Sequence, residues 1–394
     1  MPLPPDFTLL QVVPELETGG AEQTTIDVAR AVIEAGGKAL VATRGGRMTA
    51  RLEADGGRLA QMPVQSKNPL VMLGNAARLV DLIRSENVSL VHARSRAPAF
   101  SALWAAQTTK TPFVATYHGV YKATSSLKRW YNAVMTRGDL VIANSDYTRD
   151  HVLAEHMVDP DKVLTIPRGV DLERFNPDWV NLDRVKALRE GWGIAADDPR
   201  TRFLLAGRLT RIKGHMTIIE AAAQLKAQAR DDFLILFAGD DQGRTGYGEE
   251  LAKAVTDAGL TDRISIVGHC DDMPAAYLLA DVAILPTTVP ESFGRAAVEP
   301  QAMGRPVIAS NHGGTTETVA DGISGWLVQP GDAAAWARAM ERAIDVGPVK
   351  RGEMGQAGMN RTRQLYRVDA MCAATLAAYE QVLDARAGLT EKRA

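Results

Sequence analysis

The sequence has little cysteine and no long apolar run, and each scarcity excludes a class of protein. Cys270 and Cys372 are the only cysteines among 394 residues. They have no metal-ligand spacing, and a chain of this size needs no disulfide scaffold, so we expect a reducing cytoplasm. No apolar stretch reaches the roughly 18 residues of a membrane-spanning helix, and the segment "MPLPPDFTLLQVV" lacks the basic start of a signal peptide. A net charge of −2 gives no support for nucleic acid as a partner.

Short apolar runs rich in β-branched residues alternate with helical patterns along the whole chain. The first half contains "FTLLQVV", "KALVAT", "VSLVHA", "PFVATYH", "LVIANS" and "VLTIP". The second half contains "RFLLAG", "FLILFAG", "ISIVG", "VAILP", "PVIAS" and "GWLV". Strands that alternate with helices indicate parallel sheets covered on both faces. The pattern predicts the α/β class, with two Rossmann-like doubly wound domains facing each other across a cleft.

A change of composition marks the expected domain boundary. The segment "IPRGVDLERFNPDW" replaces apolar periodicity with proline, glycine and charge. We therefore expect one domain over residues 1–175 and a second over residues 176–366. Residues 367–394 carry an apolar stripe at helical spacing, which needs a partner. This terminal helix can cover its own domain or cross back to the first, and we predict the crossing.

Two glutamates in "PESFGRAAVEP" lie where a ligand is expected, beyond the carboxyl end of a predicted strand. Glu291 falls on the loop, and Glu299 falls about a turn into the helix that begins near Gly294. Their separation of roughly 12 Å exceeds the about 5–9.5 Å of a glycosidase pair. Two hydrogen-bond acceptors thus flank the start of a helix, and a helix start favours a phosphate group. This arrangement predicts a nucleotide sugar as the ligand. A pair of solvated helix-cap acids is the alternative.

Three further strand ends carry candidate ligand-binding residues. Arg208 and Lys213 follow a strand and would neutralise a diphosphate, although ordinary surface cations explain them as well. His118 ends a strand and could donate a hydrogen bond or take an acceptor's proton, unless it is structural. Gly19 and Gly20 separate the first strand and helix, where phosphate or sugar can approach backbone closely, but a plain turn accounts for them too.

The chain resembles the retaining glycosyltransferases of family 4. The resemblance rests on "GRLTRIKG", "PESFGRAAVEPQAMGRPVIAS" and "GGTTETVADGISGWLVQPGD", and extends through "TGGAEQTTIDVARAV", "TYHGVY" and "PRGVDLERFNP". The family's signature, two glutamates separated by seven residues, matches Glu291 and Glu299. The segments "VHARSRAPA", "SKNP" and "GHCDDMPAA" are most similar to lipopolysaccharide-core glycosyltransferases of Gram-negative bacteria. The resemblance implies an acceptor-side first domain and a second domain that binds the nucleotide sugar.

The resemblance also implies residue roles in the second domain. Glu291 would contact the donor sugar and Glu299 the ribose. Phe293 and Gly294 would offer backbone N–H groups, while Arg208 and Lys213 would hold the diphosphate. Pro300 departs from the family pattern, because proline removes a helical hydrogen bond and can kink the helix or delay its start.

In the first domain, the same resemblance implies that Gly20 admits the diphosphate and that His118 contacts the donor sugar. We expect a metal-independent front-face reaction in which the departing diphosphate helps to deprotonate the acceptor. Neither a metal nor a cofactor is expected, because Arg208 and Lys213 supply the positive charge and the nucleotide sugar is a substrate. GDP-mannose and UDP-glucose are the favoured donors.

The acceptor side has no acidic residue between Asn87 and Gly138. The same window holds seven cations: Arg94, Arg96, Lys110, Lys122, Lys128, Arg129 and Arg137. Cations interleaved with Trp130 and Tyr131 suit an anionic membrane surface or an anionic acceptor, although buried strands in the window would lack acids anyway. The predicted acceptor is a lipopolysaccharide-core or other lipid-linked glycan, and the predicted location is cytoplasmic, with peripheral contact to the inner membrane.

Two other interpretations stay open at the level of sequence. A nucleotide-sugar epimerase or a sugar phosphorylase would use the same two-domain architecture. A non-catalytic subunit that binds a nucleotide sugar and scaffolds a surface-polysaccharide assembly would bind the donor without turnover. The joint presence of both glutamates, Arg208 and Lys213 argues against the scaffold.

Overall fold

The chain divides into two compact units in the computed structural model, which describes residues 3–17, 19–121, 123–241 and 245–391. Unit 1 comprises Met1–Gly169 together with Val368–Ala394, and unit 2 comprises Val170–Arg367. The chain thus leaves unit 1 at Gly169, before the residue 175 that the sequence suggests, and its last segment belongs to unit 1. Lys122, one of the seven predicted acceptor-side cations, lies outside the described residues.

Unit 1 contains a parallel seven-stranded sheet in the order β3-β2-β1-β4-β5-β6-β7. The strands are β1 (Thr8–Val12), β2 (Lys38–Thr43), β3 (Arg58–Gln61), β4 (Leu90–Ala93), β5 (Phe113–Tyr117), β6 (Leu140–Ala143) and β7 (Val163–Thr165). The helices between them are α1 (Gly20–Glu34), α2 (Thr49–Ala54), α3 (Pro69–Ser85), α4 (Arg96–Thr109), α5 (Ser126–Asn132) and α6 (Asp146–Glu155).

Unit 2 contains a parallel six-stranded sheet in the order β10-β9-β8-β11-β12-β13. The strands are β8 (Thr201–Ala206), β9 (Phe233–Ala238), β10 (Ile264–Gly268), β11 (Val282–Leu285), β12 (Val307–Ser310) and β13 (Gly325–Val328). The helices are α7 (Leu182–Gly191), α8 (His215–Ala227), α9 (Thr245–Asp257), α10 (Met273–Leu279), α11 (Arg295–Ala302), α12 (Thr315–Thr318), α13 (Ala333–Asp345) and α14 (Gly347–Leu365). Two parallel sheets with helical crossovers confirm the predicted fold class.

Alternate residues of the central strands enter different hydrophobic layers. In β1, Leu10 packs with Leu40 and Val91 on one face of the sheet. Its neighbour Leu9 packs with Val41 on the other face. Because side chains along a strand alternate between faces, a strand that is apolar throughout requires cover on both sides. The continuous apolar runs of the sequence are therefore explained by a sheet buried between two helical layers.

The last helix, α15 (Val368–Glu391), completes one of the two layers of unit 1. Tyr379 is buried in the same cluster as Phe7, and its hydroxyl lies 2.6 Å from Nδ1 of His92. Arg386 donates two hydrogen bonds to Asp139, at 2.8 and 2.9 Å. None of the helices in the described ranges is long and apolar enough to cross a membrane.

Buried histidines should make the protein sensitive to mild acid. Burial lowers the pKa of His215 to about 4, and burial with the nearby Arg94 holds the pKa of His92 well below its usual range. The unfolded chain, with histidine pKa values near ~6.5, binds more protons over this interval. The stability contribution is therefore present above about pH 6.5 and is lost as the pH falls towards 4.

We expect His215 alone to lower the free energy of unfolding by about 2 kcal/mol between pH 7 and pH 5. Urea unfolding of the parent chain and of His215→Phe at both pH values measures this difference. The free energy of unfolding of the variant should fall by about 2 kcal/mol less than that of the parent between the two pH values. His269→Asn, at an exposed histidine, serves as the control. An unchanged pH dependence in His215→Phe would contradict the prediction.

Candidate active site

In unit 2, the loops that follow β8 and β11 lie against each other. The N–H of Thr288 donates to the carbonyl of Ile212 at 2.9 Å. Gly214 has a φ of 77°, and a Cβ built on it would lie 1.8 Å from the carbonyl oxygen of Pro286. Only glycine accommodates both the left-handed conformation and this close approach. The two loops that carry Lys213 and Glu291 are therefore held together by backbone packing.

Lys213 and Glu291 form the central ion pair of this site. Nζ of Lys213 lies 2.6 Å from Oε1 of Glu291, and both side chains are half-buried. An ammonium group has three donors and a carboxylate several acceptor positions, so each partner keeps capacity for another hydrogen bond. The pair thus presents a donor for an anion beside an acceptor for hydroxyl groups.

The loop that carries Glu291 is fixed by the two glycines after β12. Glu291 forms an isolated parallel bridge with Gly313, and its carbonyl accepts a hydrogen bond from the N–H of Gly314 at 2.8 Å. A Cβ on Gly314 would lie 2.6 Å from Cα of Phe293. The absence of a side chain at this position therefore permits the close backbone contact that positions Glu291.

Glu299 is the fifth of the eight residues of α11 and is held from two sides. The helix begins at Arg295, after Gly294 in a left-handed conformation. A guanidinium nitrogen of Arg295 lies 2.6 Å from Oε1 of Glu299, and the hydroxyl of Tyr277 donates to Oε2 at 3.4 Å. Phe293 is buried, with its ring 5.4 Å from that of Tyr366. These contacts fix the direction of the Glu299 carboxylate.

Pro300 lies inside α11, which neither begins later nor ends there. The helix continues to Ala302, and the side chain of Gln301 donates to the carbonyl of Ala297 at 2.8 Å and to that of Thr318 at 2.9 Å. Pro300 is the sixth of the eight helical residues, so the carbonyl of Ala296 loses a helical hydrogen bond, while the two hydrogen bonds of Gln301 secure the end of the helix. Glu299 therefore keeps a helical position next to the proline.

Arg208 follows the end of β8 and has an exposed side chain. Behind it, a Cβ on Gly239 would lie 1.9 Å from the carbonyl oxygen of Gly207, so the ends of β8 and β9 approach closely. Arg208 and Lys213 thus lie on one loop, at opposite ends of a short turn. The six predicted residues of unit 2 lie on the loops after β8 and β11 or in α11, and Lys213 and Glu291 are in direct contact: Arg208, Lys213, Glu291, Phe293, Gly294 and Glu299.

The other predicted residues, Gly19, Gly20 and His118, lie in unit 1. Gly19 precedes α1 with an extended φ of −178°, so its backbone conformation does not require glycine. Gly20 is the first residue of that helix and contributes to its unbonded N–H groups. Both are therefore placed where an anion could meet a helix start.

His118 has a defined tautomer. A guanidinium nitrogen of Arg168 lies 2.7 Å from Nδ1 of His118. Since guanidinium can only donate, Nδ1 accepts, and the proton of the neutral ring lies on Nε2. Burial, followed by the charges of Arg168 and Arg94, holds the pKa of His118 well below its usual range. This arrangement favours a hydrogen-bond donor over a base that takes the acceptor's proton.

Sequence reasoning did not single out several residues that shape the site. Arg295 could have been found, because it stands four residues before Glu299, the spacing of a helical ion pair. Tyr277 comes from α10 and gave no such signal. Arg94 of unit 1, which the sequence identified only as one of seven cations, is buried, follows the end of β4 and donates to Oε1 of Gln11 at 2.9 Å. The described parts of the chain contain no cluster of three residues suited to hold a metal ion.

Comparisons with known proteins assign a domain to each half. The domain described as Glycosyltransferase Family 4 matches residues 18–174, and that described as Glycosyl transferases group 1 matches residues 189–361. A D-inositol 3-phosphate glycosyltransferase of Pseudarthrobacter chlorophenolicus is 34% identical over 63% of this chain. The chain spans only 57% of that relative's length.

Solved structures match over nearly the whole chain. A glycosyltransferase from Rickettsia africae is 32% identical, with a TM-score of 0.88 over 96% of this chain and 99% of its own. The Anabaena protein HepE, solved with UDP-glucose, is 24% identical, with a TM-score of 0.81 over 94% of this chain and 99% of its own. The second likeness shows the fold alone.

Proposed function

Because the chain belongs to the glycosyltransferases that combine a Family 4 domain with a group 1 domain, we propose that it moves a hexose from a nucleotide sugar to a hydroxyl group of an anionic, lipid-linked glycan, with retention of configuration. The observation that carries the proposal is the Lys213–Glu291 pair at 2.6 Å, beside the start of α11. It combines a diphosphate-binding cation with a sugar-binding carboxylate.

Each end of the donor has a proposed partner in unit 2. Glu291 accepts hydrogen bonds from the sugar hydroxyls, and Glu299, held by Arg295 and Tyr277, accepts from the ribose. The diphosphate lies near Lys213, Arg208 and the N–H groups at the start of α11, whose dipole favours negative charge. UDP-glucose and GDP-mannose are the proposed donors, and the UDP-glucose complex of HepE supports the first.

The proposed reaction needs no protein nucleophile. The bond between the anomeric carbon and the donor phosphate oxygen breaks, and the acceptor oxygen bonds to the same face of that carbon. The acceptor's proton passes to the departing diphosphate oxygen. Lys213 and Arg208 stabilise the charge that develops on this leaving group, and His118 orients the sugar as a donor through Nε2. Gly19 and Gly20 would let the substrate approach the start of α1.

The decisive experiment measures nucleotide release from UDP-, GDP- and ADP-sugars, with and without truncated lipopolysaccharide core or inositol phosphate. Release that requires both one donor and one acceptor would establish the transferase. Isomerised donor without acceptor would favour an epimerase, and dependence on inorganic phosphate would favour a phosphorylase. Tight donor binding without release from any acceptor would support the scaffold.

We expect transfer to be independent of divalent metal. Lys213 and Arg208 provide the charge that Mg²⁺ or Mn²⁺ supplies in other transferases, so excess EDTA should leave turnover unchanged within about twofold. Turnover with EDTA, and after adding back each metal, measures this. Loss of activity that Mg²⁺ or Mn²⁺ restores would contradict metal independence.

The chemistry of unit 1 supports an anionic acceptor. Arg94 and Arg168 both influence the pKa of His118, which places two guanidinium charges near that strand end. Arg96 is the first residue of α4, and its guanidinium lies 3.6 Å from the ring centre of Tyr121. The name of the Pseudarthrobacter relative supports a phosphorylated acceptor. A phosphorylated lipopolysaccharide core and an inositol phosphate share this feature, and the acceptor panel separates them.

We further propose that α5 contacts an anionic membrane surface on the cytoplasmic side. Leu127 and Trp130 of α5 are 74% and 52% exposed, beside exposed Lys128 and Arg129. We expect the protein to float with vesicles that contain phosphatidylglycerol at low salt, and Leu127→Ser/Trp130→Ser to float less. Leu365→Ser, at an exposed leucine of unit 2, is the control. Absence of flotation by the parent protein would rule out this contact.

A further inference from the structure

A basic cavity lies in unit 1 at the edge of the sheet where β5, β6 and β7 begin. It has a volume of about 910 Å³, and its lining includes Lys110, Phe113, Arg137 and Lys162. Phe113 starts β5, and Lys162 directly precedes β7. His118 follows the opposite end of β5. The cavity therefore lies at the opposite edge of this sheet from His118.

Four cations converge on this cavity from separate parts of the chain. Lys110 follows α4, Arg137 precedes β6, Lys162 precedes β7, and Arg386 comes from α15. The lining contains one acidic residue, Asp139, which two hydrogen bonds from Arg386 and one from the N–H of Phe113 already engage. In the described ranges, no carboxylate lies within ion-pair distance of Lys110, Arg137 or Lys162. Like charges gathered in one place repel unless an anion joins them.

Two of these cations are held in specific conformations. Arg137 donates to the carbonyl of Trp130 at 3.2 Å, with its guanidinium 4.9 Å from the centre of that ring. Lys110 ends α4 with a φ of 60°, a left-handed position that glycine occupies more readily. A lysine at such a position is not explained by local backbone preference. Its residue lines the cavity, which offers a use for its charge.

From this geometry we propose that the basic cavity is a second phosphate-ester site, distinct from the diphosphate site of unit 2. Lys110, Arg137 and Lys162 bind the phosphate oxygens, while Leu103, Pro112 and Ala387 of the same cavity contact a less polar part of the ligand. The ligand class is a multiply charged phosphate ester, either a soluble molecule or a lipid headgroup. The proposal uses no residue of the proposed transfer reaction, so either can fail without the other.

The test uses the full chain with Lys213→Ala, which removes one cation of the proposed diphosphate site. Inorganic tripolyphosphate is titrated calorimetrically at low ionic strength, where screening is weak. We expect saturable binding, and a Kd at least about tenfold weaker after adding Lys110→Gly/Lys162→Gln, because charge-assisted contacts to phosphate are lost. Lys38→Gln/Lys67→Gln removes the same charge from exposed positions of unit 1 and should leave the Kd unchanged.

Thermal unfolding separates a binding role from a structural one. Glycine suits the conformation of residue 110, so Lys110→Gly should keep or raise the melting temperature while it weakens binding. A second arm measures sedimentation with phosphatidylglycerol vesicles. Vesicle binding that depends on Lys110 and Lys162, without tripolyphosphate binding, would identify the ligand of the cavity as a lipid headgroup. Equal behaviour of the cavity variant and the Lys38/Lys67 control in both arms would overturn the proposal.

Discussion

Lys213→Ala should lower turnover by about 10²–10³-fold while the protein stays folded. The ammonium group lies 2.6 Å from Glu291, where it can stabilise the charge that forms on a departing diphosphate. This charge develops during the reaction, so the loss should appear mainly in kcat. Lys213 is half-buried on a short turn and contributes little to the hydrophobic core. The free energy of unfolding should therefore change by no more than about 1 kcal/mol. Steady-state kinetics and circular dichroism measure the two quantities.

A matched substitution separates this effect from a general loss of positive charge. Lys253 of unit 2 is exposed and pairs with Asp257, one helical turn away. Lys253→Ala should therefore leave kcat within about twofold. Lys213→Arg, which keeps the charge with a different shape, should retain part of the activity. Parent-level turnover in Lys213→Ala would refute the assigned role.

Gly214→Ala should destabilise unit 2 by about 3–5 kcal/mol and abolish most of the activity. The added Cβ would lie 1.8 Å from the carbonyl oxygen of Pro286, and the φ of 77° is unfavourable for alanine. One of the two loops must then move, and they carry Lys213 and Glu291. Chemical unfolding and donor binding should both report this displacement.

Gly352→Ala provides the contrasting control for this prediction. Gly352 lies within α14, with no heavy atom inside 4 Å of a built Cβ and without a left-handed backbone. Alanine there should stabilise the helix by about 0.5–1 kcal/mol. If Gly214→Ala were as stable and active as Gly352→Ala, close packing between the two loops would not hold the site together.

Apolar runs predicted twelve of the strands, and the thirteenth shows the limit of that signal. All six runs of the second half correspond to β8–β13. The edge strand β3 has the sequence RLAQ and is only half-buried, so it lacks a continuous apolar run. Edge strands bury less surface than central ones, and their sequences are correspondingly less distinctive.

The site could be located from sequence, but its pairing could not. Residues at strand ends identified Lys213 and Glu291 separately, because parallel sheets bind ligands at that edge. Their direct contact joins positions 78 residues apart and depends on how two loops pack. The buried position of Arg94 and the tautomer of His118 also arise from tertiary packing. Local patterns identify candidate groups, whereas partners and protonation follow from contacts between distant segments.

The discontinuous composition of unit 1 has a consequence for biosynthesis. Its second layer requires Tyr379 and Val382 of α15, which a ribosome makes only after all of unit 2. Until then, the apolar face around Phe7 and Leu9 lacks the part of its cover that α15 supplies, whereas unit 2 is a continuous segment that can fold as soon as it emerges. Completion of the earlier-made unit thus awaits a helix that follows all of unit 2 in the chain, so premature termination near residue 367 would expose that face to chaperones and proteases.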